Sequence, residues 1–390
     1  MFNIFKAYSL PQKGERLFGK GSPRIDLYFM ILAVILGVFG SIMVFSAGSA
    51  YAEFRYDDNF FFAKRQILWL VIGIFAMLGT SRIKAETYIF LTPILYTLTL
   101  FLLVLVLIVG LSGNGAQRWI SIGPLTLQPS EIAKMTVVMM LAYYFHLYGD
   151  KHSIDKDGKS IFIYSTLIPC AIMAVPILLI MLQKHLSCII ILGLLGLSVI
   201  VASGTNTKYI RFFVILGIVS VICIALFTDY TKERITVWQN PEEYKLTGGW
   251  QTLQGLMAIG SGGIFGLGYG ESILKHCYVS EPANDMIFAI LCEELGILGA
   301  IFAIALFAFL IIRGFKIALK SRDTFSRLLA SGICIKTAIQ VLLNIAVVTN
   351  SIPNTGISLP FFSYGGSSLV MLFFEMGIML SISKRSVIPK

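Results

Sequence analysis

The stretch Leu27-Tyr-Phe-Met-Ile-Leu-Ala-Val-Ile-Leu-Gly-Val-Phe-Gly-Ser-Ile-Met-Val-Phe45 decides the class of fold. It carries no charge and is about as long as a helix that crosses a bilayer, which needs roughly 20 residues. Similar runs recur along the chain, whose 390 residues are 56% hydrophobic and 13% charged. Ordinary soluble domains are roughly 25% charged, and disordered chains are poor in apolar residues. The composition therefore excludes both classes and predicts an all-α polytopic membrane protein.

Ten apolar runs have the length and composition of transmembrane helices. They lie at residues 27–49, 66–80, 88–111, 131–148, 161–182, 185–204, 208–228, 285–312, 327–350 and 359–383. The sequence thus predicts one ten-helix membrane domain, 27–383, between an N-terminal segment, 1–26, and a short tail, 384–390. Ala50-Tyr51-Ala52 has the form of a signal-peptide cleavage site. We reject that interpretation because the polar leader and the apolar run are both too long.

The positive charges predict which side of the membrane each connection faces. The net charge is +10, from 31 Lys and Arg against 21 Asp and Glu. If the N-terminus is cytoplasmic, most of the Lys and Arg residues fall in inner segments, as membrane proteins favour. We therefore expect both termini in the cytoplasm, and the basic excess needs no nucleic acid to explain it.

One predicted connection is much longer than the others. Residues 229–284 join the seventh and eighth spans on the outer side, and loops of that length are usually functional. Within them, Trp250–Ile259 has apolar residues at helical spacing, and the glycine-rich run Gly260–Gly270 follows. We expect a short re-entrant or interfacial helix that ends in a flexible turn, since an apolar piece too short to span must hide its backbone in protein.

Ionisable residues within predicted spans are informative because each costs at least about 2.5–3.5 kcal/mol unless it is paired or hydrated. Glu131 and Lys134 lie three residues apart on one helix face, where they can neutralise each other. For that pair a structural bridge and a functional role both stay open. Lys336, Gln340 and Asn344 recur every four residues, which favours a polar stripe turned towards a cavity or other charged helices.

Asp285 differs from Glu293, Glu294 and Glu375, for which we expect pairing or interfacial roles. It stands where the long outer loop meets the eighth span, so that its carboxylate has water on one side and an apolar wall on the other. Such surroundings raise a carboxylate pKa towards the range of a general base. An aspartate at a helix start also commonly caps free N–H groups, so position alone leaves both roles open.

Four groups of residues resemble the SEDS family (FtsW, RodA, SpoVE), and the resemblance runs from about residue 27 to 385, closer to FtsW or SpoVE than to RodA. They are Gln117-Arg-Trp-Ile120 with Gln128-Pro-Ser-Glu-Ile-Ala-Lys134; Trp250–Gly270; Asp285-Met-Ile-Phe288 with Glu293-Glu-Leu-Gly296; and Pro353-Asn-Thr-Gly-Ile-Ser-Leu-Pro-Phe-Phe-Ser-Tyr-Gly-Gly-Ser-Ser368. The resemblance implies a ten-span peptidoglycan glycosyltransferase in the bacterial cytoplasmic membrane. Such proteins polymerise lipid II at the outer face, beside a class B penicillin-binding protein.

The resemblance, the needs of the reaction that it implies and the positions of the polar residues together predict roles for individual residues. The family's essential acid corresponds to Asp285, the expected general base. Arg118 is the first choice to stabilise the leaving diphosphate, with Arg234, Lys275 or a divalent cation (Mg²⁺ or Mn²⁺) as further sources of positive charge. Trp119 is expected to stack on sugar or lipid, and Gln128 to bind substrate. The expected structural or cavity-lining polar residues are Glu131, Lys134, Lys336, Gln340, Asn344, Ser363 and Tyr364.

One departure from the family lies beside the acid. Where the family usually reads Tyr-Leu-Pro-Glu-Ala-His-Thr-Asp, this chain reads Tyr278-Val-Ser-Glu-Pro-Ala-Asn-Asp285, so the His-Thr pair becomes Ala283-Asn284. Two other classes of function stay open. A transporter of the lipid-linked precursor would suit the intramembrane charges equally well, and a non-catalytic scaffold would only recruit a partner synthase. The sequence does not distinguish cell division from elongation or sporulation.

Overall fold

The computed structural model describes residues 25–113, 116–122, 125–149, 162–205, 229–276 and 282–384, with residues 211, 214, 215 and 217 in addition. Most of the predicted seventh span lies outside the described residues. So do most of the N-terminal segment, most of the tail and residues 277–281 of the long loop.

The described part of the chain is mostly helical. Its helices are α1 (Leu27–Tyr56), α2 (Phe61–Arg82), α3 (Ala85–Val109), α4 (Pro129–Tyr148), α5 (Ile168–Leu182), α6 (Leu186–Ala202), α7 (Asp229–Gln239), α8 (Trp250–Ser261), α9 (Ile287–Leu319), α10 (Thr324–Val348) and α11 (Gly366–Ser383). A π-helical turn, Ile163–Leu167, leads into α5. Seven helical segments among the described residues are long and apolar enough to cross a membrane, and α6 is a shorter apolar helix. The prediction of a multi-pass membrane protein is confirmed.

The ends of several helices differ from the predicted spans. Helix α1 continues to Tyr56 instead of ending at 49, and α9 continues to Leu319. Helix α11 begins only at Gly366, because residues 359–365 form turns and irregular backbone. Hydropathy indicates where a chain meets lipid, whereas a helix ends where capping and backbone conformation end it. At α1 that point is Asp57, which adopts the left-handed conformation with φ of 55°.

The all-α prediction is wrong in one small region. Strands β1 (Leu111–Gly113), β2 (Ala116–Ile122) and β3 (Leu125–Leu127) form an antiparallel sheet in the order β1-β2-β3. The intervening sequences Asn114-Gly115 and Gly123-Pro124 are dipeptides typical of turns, which favour short paired strands over a helix. The sheet places the predicted site residues Arg118 and Trp119 on its central strand.

Helix α9 is broken at Gly296, which has φ of 64° and ψ of −167°. The glycine loop, residues Gly262–Gly268, lies against the break. On the N-terminal side of the break, the N–H groups of the loop's last two residues donate to the carbonyls of Glu293 and Glu294 at 2.9 and 3.0 Å. On the C-terminal side, the N–H groups of residues 297 and 298 donate to carbonyls of the loop at 3.0 and 3.3 Å.

The structure describes most of the long connection. The short helix predicted from Trp250 is present as α8. The glycine-rich turn that follows, for which we expected flexibility, makes backbone hydrogen bonds to the broken helix on both sides of Gly296. Irregular backbone in a membrane protein needs such partners, and glycine permits the close approach.

Two buried carboxylates fasten the chain that follows the glycine loop. Glu294 accepts hydrogen bonds from Ser46 Oγ at 2.5 Å and Lys275 Nζ at 3.1 Å. Glu293 accepts a hydrogen bond from Ser272 Oγ at 2.5 Å. Both glutamates are completely buried. They therefore join the long connection to α9 and α1.

We predict that Gly266→Ala destabilises the protein and that Gly260→Ala does not. Gly266 has φ of +81°, and an added Cβ would lie 2.1 Å from the carbonyl oxygen of Glu294. A left-handed residue with a Cβ costs about 1–2 kcal/mol even without such a clash. Gly260 lies on α8, and nothing is within 4 Å of its added Cβ. Thermal unfolding of the purified variants in detergent measures the effect, and equal Tm values for both would contradict the prediction.

Candidate active site

The segment 350–365, between α10 and α11, is the centre of the site. It contains neither helix nor strand. Side chains of neighbouring helices donate hydrogen bonds to its carbonyl groups. The Arg234 guanidinium of α7 donates to the carbonyl of Asn354, and the Ser187 hydroxyl of α6 donates to the carbonyl of Thr355. Two helices distant in sequence are thus joined to adjacent residues of one segment.

Asp285 lies beside this segment, partly buried in the turn that precedes α9. A Cβ added to Gly356 would lie 3.4 Å from Asp285 Oδ2, so the carboxylate packs against the backbone of Gly356. Gly356 has φ of +67°, a conformation that glycine adopts without strain. The N-cap position of α9 is Met286, so Asp285 stands one residue before the cap. The carboxylate is therefore at the junction of loop and helix that the sequence indicated.

Asn344 joins the turn of Asp285 to the segment 350–365. Its Nδ2 donates to the main-chain carbonyl of Asp285 at 2.9 Å and to that of Ile357 at 2.6 Å. The side chain is completely buried on α10. One amide group thus satisfies two carbonyls of irregular backbone, which would otherwise be costly to bury.

Ser363 and Tyr364 form a second connection to the same turn. Ser363 Oγ donates to the carbonyl of Asn284 at 2.8 Å and accepts from the N–H of Leu359 at 2.7 Å. The N–H of Tyr364 donates to the carbonyl of Ala283 at 2.8 Å. The turn that carries Asp285 is therefore fixed to the segment 350–365 through three consecutive carbonyls.

Arg118 reaches this end of the bundle from the sheet. Its guanidinium donates to the carbonyl of Lys184 at 2.6 Å, in the connection that leads to Ser187. The next residue, His185, has Nδ1 3.4 Å from Ser130 Oγ. Arg118 thus places a positive charge beside the start of α6.

The other predicted substrate-binding residues have different surroundings. Trp119 is 37% exposed on β2, and Gln128 is partly buried at the N-cap position of α4. Lys275 is only 3% exposed, and its ammonium contacts Glu294 and the carbonyl of Gly270. Lys275 was expected to be an outer cation near the substrate, but its charge is already paired. We therefore leave Lys275 out of the function proposed below.

Two ion pairs lie inside the helix bundle. Glu131 and Lys134 of α4 are 2.7 Å apart, and Lys336 of α10 pairs with Glu375 of α11. Lys134, Lys336 and Glu375 are all buried, and the side chain of Glu131 is 13% exposed. A cavity of about 20 Å³ separates the two pairs from the segment 350–365. Its polar lining consists of Glu131, Lys336, Gln340, Ser358, Ser363 and Ser368.

The polar stripe of α10 therefore has a different neighbour at each level. Lys336 pairs with Glu375, Gln340 lines the cavity, and Asn344 contacts the turn of Asp285. A cavity of this size has room for about one water molecule. It is far too small to enclose a lipid-linked sugar in this conformation.

The described residues do not form a metal centre of their own. Among them, no group of three His, Cys, Asp or Glu side chains could hold a metal ion. We therefore assign no step of the reaction to Mg²⁺ or Mn²⁺, and the divalent cation stays a prediction from sequence. The positive charge placed next to the segment 350–365 comes from arginine.

Sequence reasoning missed several residues that position the site. Ser187 and His185 lie at the start of an apolar helix, where a polar pair is unusual enough to have been a signal. Gly356 was quoted only as part of a motif, and nothing in the sequence shows that its backbone lies beside Asp285. Pairing between residues of distant helices, such as Lys336 and Glu375, has no local pattern to reveal it.

Fold and site together define a multi-pass membrane protein with a carboxylate and two arginines gathered at one end of its helix bundle. The family of FtsW, RodA and SpoVE, described as "Cell cycle protein", matches residues 26–387. Stage V sporulation protein E of Bacillus subtilis is 38% identical and covers 94% of this chain and 98% of its own length. The probable peptidoglycan glycosyltransferase FtsW of Geobacter metallireducens is 37% identical over 93% and 95%. The chain belongs to the FtsW, RodA and SpoVE family.

Solved structures show the same fold. A chain of a peptidoglycan synthase complex superimposes with a TM-score of 0.75 and 24% identity, over 92% of this chain and 97% of the other. The rod shape determining protein RodA of Thermus thermophilus gives a TM-score of 0.68 with 24% identity, over 94% and 98%. At this identity the likeness concerns the fold alone.

We predict that Lys336→Met destabilises the protein much more than Lys336→Met combined with Glu375→Leu. The single substitution leaves the buried Glu375 carboxylate without its cation, and breaking a buried pair typically costs about 3–5 kcal/mol. Replacing both partners removes the uncompensated charge. Lys64→Met is the matched control, because its pair with Asp58 is exposed and worth about 0–1 kcal/mol. Thermal unfolding should rank the control first, the double variant second and the single variant last; a single variant as stable as the double would contradict this.

Proposed function

We propose that this protein is a peptidoglycan glycosyltransferase that polymerises lipid II at the outer face of the cytoplasmic membrane, with Asp285 as general base. The observation that carries the proposal is the placement of Asp285. A partly buried carboxylate lies beside the segment to which Arg234 is bonded, at the end of the bundle that Arg118 also reaches. The named activity of the FtsW relatives supports the same reaction.

The reaction needs a base and a stabilised leaving group. A sugar hydroxyl of one substrate attacks the anomeric carbon of the other, a C–O bond forms, and the bond to the lipid diphosphate breaks. Asp285 takes the proton of the attacking hydroxyl, a contribution typically worth 10²–10⁴-fold in rate. Arg118 and Arg234 stabilise the negative charge that develops on the diphosphate. Trp119, which is exposed, is available to stack on sugar or lipid.

The proposal includes a topology and a partner. It retains ten spans with the seventh at 208–228, an outer connection at 229–284 and both termini in the cytoplasm. These assignments rest on the apolar runs and on the distribution of Lys and Arg. The partner is a class B penicillin-binding protein. The likeness of the fold to a chain of a complex that coordinates polymerization and crosslinking supports that partner.

We predict that Asp285→Asn abolishes polymer formation from purified lipid II while the protein still inserts and folds. The amide is nearly isosteric but cannot accept the hydroxyl proton, so the rate should fall at least about 10²-fold. Glu271→Gln is the matched control, since Glu271 is an exposed carboxylate of the same connection. Gel analysis of the glycan product, with and without the partner synthase, measures the effect.

The outcomes separate the three classes of function. Polymerisation by Asp285→Asn at the rate of the unsubstituted protein would overturn the role of Asp285. An unsubstituted protein that makes no polymer, even with its partner, would overturn the enzyme. Movement of labelled lipid II across vesicles by that inactive protein would then indicate a transporter, and stimulation of the partner alone would indicate a scaffold.

A further inference from the structure

The two halves of the proposed site lie on separate stretches of the chain. The base, Asp285, belongs to the turn before α9, whereas Arg234 is bonded to Asn354 in the segment 350–365. Attack by the hydroxyl and departure of the diphosphate must be aligned on one carbon atom. A displacement of about 1 Å between the groups involved can cost about 10²-fold in rate. Whatever fixes the turn to the segment therefore controls the reaction.

Asn344 provides the connection closest to both groups. One of its amide hydrogens serves the carbonyl of Asp285 itself, and the other serves Ile357, which follows Gly356. Gly356 is the residue against which the Asp285 carboxylate packs. The second connection, through Ser363 and Tyr364, meets the turn one and two residues earlier and the segment further along.

The unequal use of the Asn344 amide indicates why a polar residue stands there. Its Nδ2 makes two hydrogen bonds, while its Oδ1 is buried with no hydrogen-bond partner among the described residues. A buried acceptor without a partner is unfavourable, so native proteins contain few of them. The two donated hydrogen bonds must outweigh that cost. We infer that the position requires an amide for its two N–H donors.

The helix that carries Asn344 is itself held in place. Lys336 lies two turns earlier on the same face of α10 and pairs with the buried Glu375 of α11. Helices α10 and α11 are the two that the segment 350–365 connects. The ion pair thus fixes the positions of α10 and α11 relative to each other, and with them the two ends of that segment. The hydrogen bond of Asn344 then places the turn of Asp285 relative to α10.

We propose that Asn344 is a positioning residue of the glycosyl transfer. Its amide fixes the turn that carries Asp285 against the segment 350–365. It thereby sets the geometry between Asp285 and Arg234, which stabilises the leaving group. This role rests on the proposed function. Asn344 itself touches no substrate; it acts through the backbone of Asp285 and Ile357.

Kinetics of Asn344→Leu and Asn344→Asp with purified lipid II test the proposal. Asn344→Leu loses both donors at nearly constant volume, so we expect its kcat to fall about 10²-fold while KM stays near that of the unsubstituted protein. The carboxyl of Asn344→Asp faces two carbonyl groups in a buried site, so it stays neutral and keeps one O–H donor. Its kcat should therefore lie between those of Asn344→Leu and the unsubstituted protein. A merely structural role, measured on equal amounts of folded protein, would not give this order of kcat values.

Thr349→Val is the matched control at the C-cap position of α10, because among the described residues its hydroxyl bonds to carbonyls of α10 and to the hydroxyl of Ser351. It should retain the kcat of the unsubstituted protein. The proposal is overturned if both Asn344 variants keep that kcat, if only KM changes, or if neither variant folds, since the residue would then support the fold as a whole. An active unsubstituted protein, an inactive Asp285→Asn and fully active Asn344 variants would refute the positioning role and leave the proposed function intact. An inactive unsubstituted protein would refute both.

Discussion

Irregular backbone inside a helical membrane protein must find hydrogen-bond partners within the protein, because lipid offers none. This constraint explains both unusual regions of the described structure. At the break of α9, the partners are main-chain groups of the glycine loop, so glycine is needed for close approach. In the segment 350–365, the partners are side chains of α6, α7 and α10, so polar residues appear in the otherwise apolar helices α6 and α10. The polar side chains that hold the site together are thus the ones that satisfy the main-chain carbonyls of this segment.

The same constraint separates Asp285 from the other carboxylates of the bundle. Glu294 is neutralised by Lys275, Glu375 by Lys336, and Glu131 by Lys134, each within a nearly closed environment. Asp285 lies at the junction of a turn and a helix, partly exposed, where a proton can be exchanged with substrate or water. Those three carboxylates belong to ion pairs that serve the fold, whereas Asp285 lies beside Gly356 of the segment 350–365. This position, together with the resemblance to the family, makes Asp285 the candidate base.

The sequence predicted the features that depend on local patterns. Apolar runs revealed the spans, and the junction of the long connection with the eighth span singled out Asp285. Patterns failed where the partner is remote. Lys275 was read as an outer cation because its partner, Glu294, lies 19 residues further along the chain in α9, and no periodicity reveals such a pair. Ser187, Gly356 and the double role of the Asn344 amide likewise depend on contacts between separate elements.

The main-chain hydrogen bonds of the turn explain how the sequence beside Asp285 can depart from the family pattern. Ala283 and Asn284 stand where the family usually has His-Thr, yet the bonds that join this turn to Tyr364 and Ser363 use main-chain carbonyls. Every residue type offers such a carbonyl, so changing the side chains removes neither bond. The Asp285 carbonyl, held by Asn344, follows the same rule. The position of Asp285 is therefore held by main-chain hydrogen bonds, which do not depend on the side chains at positions 283 and 284.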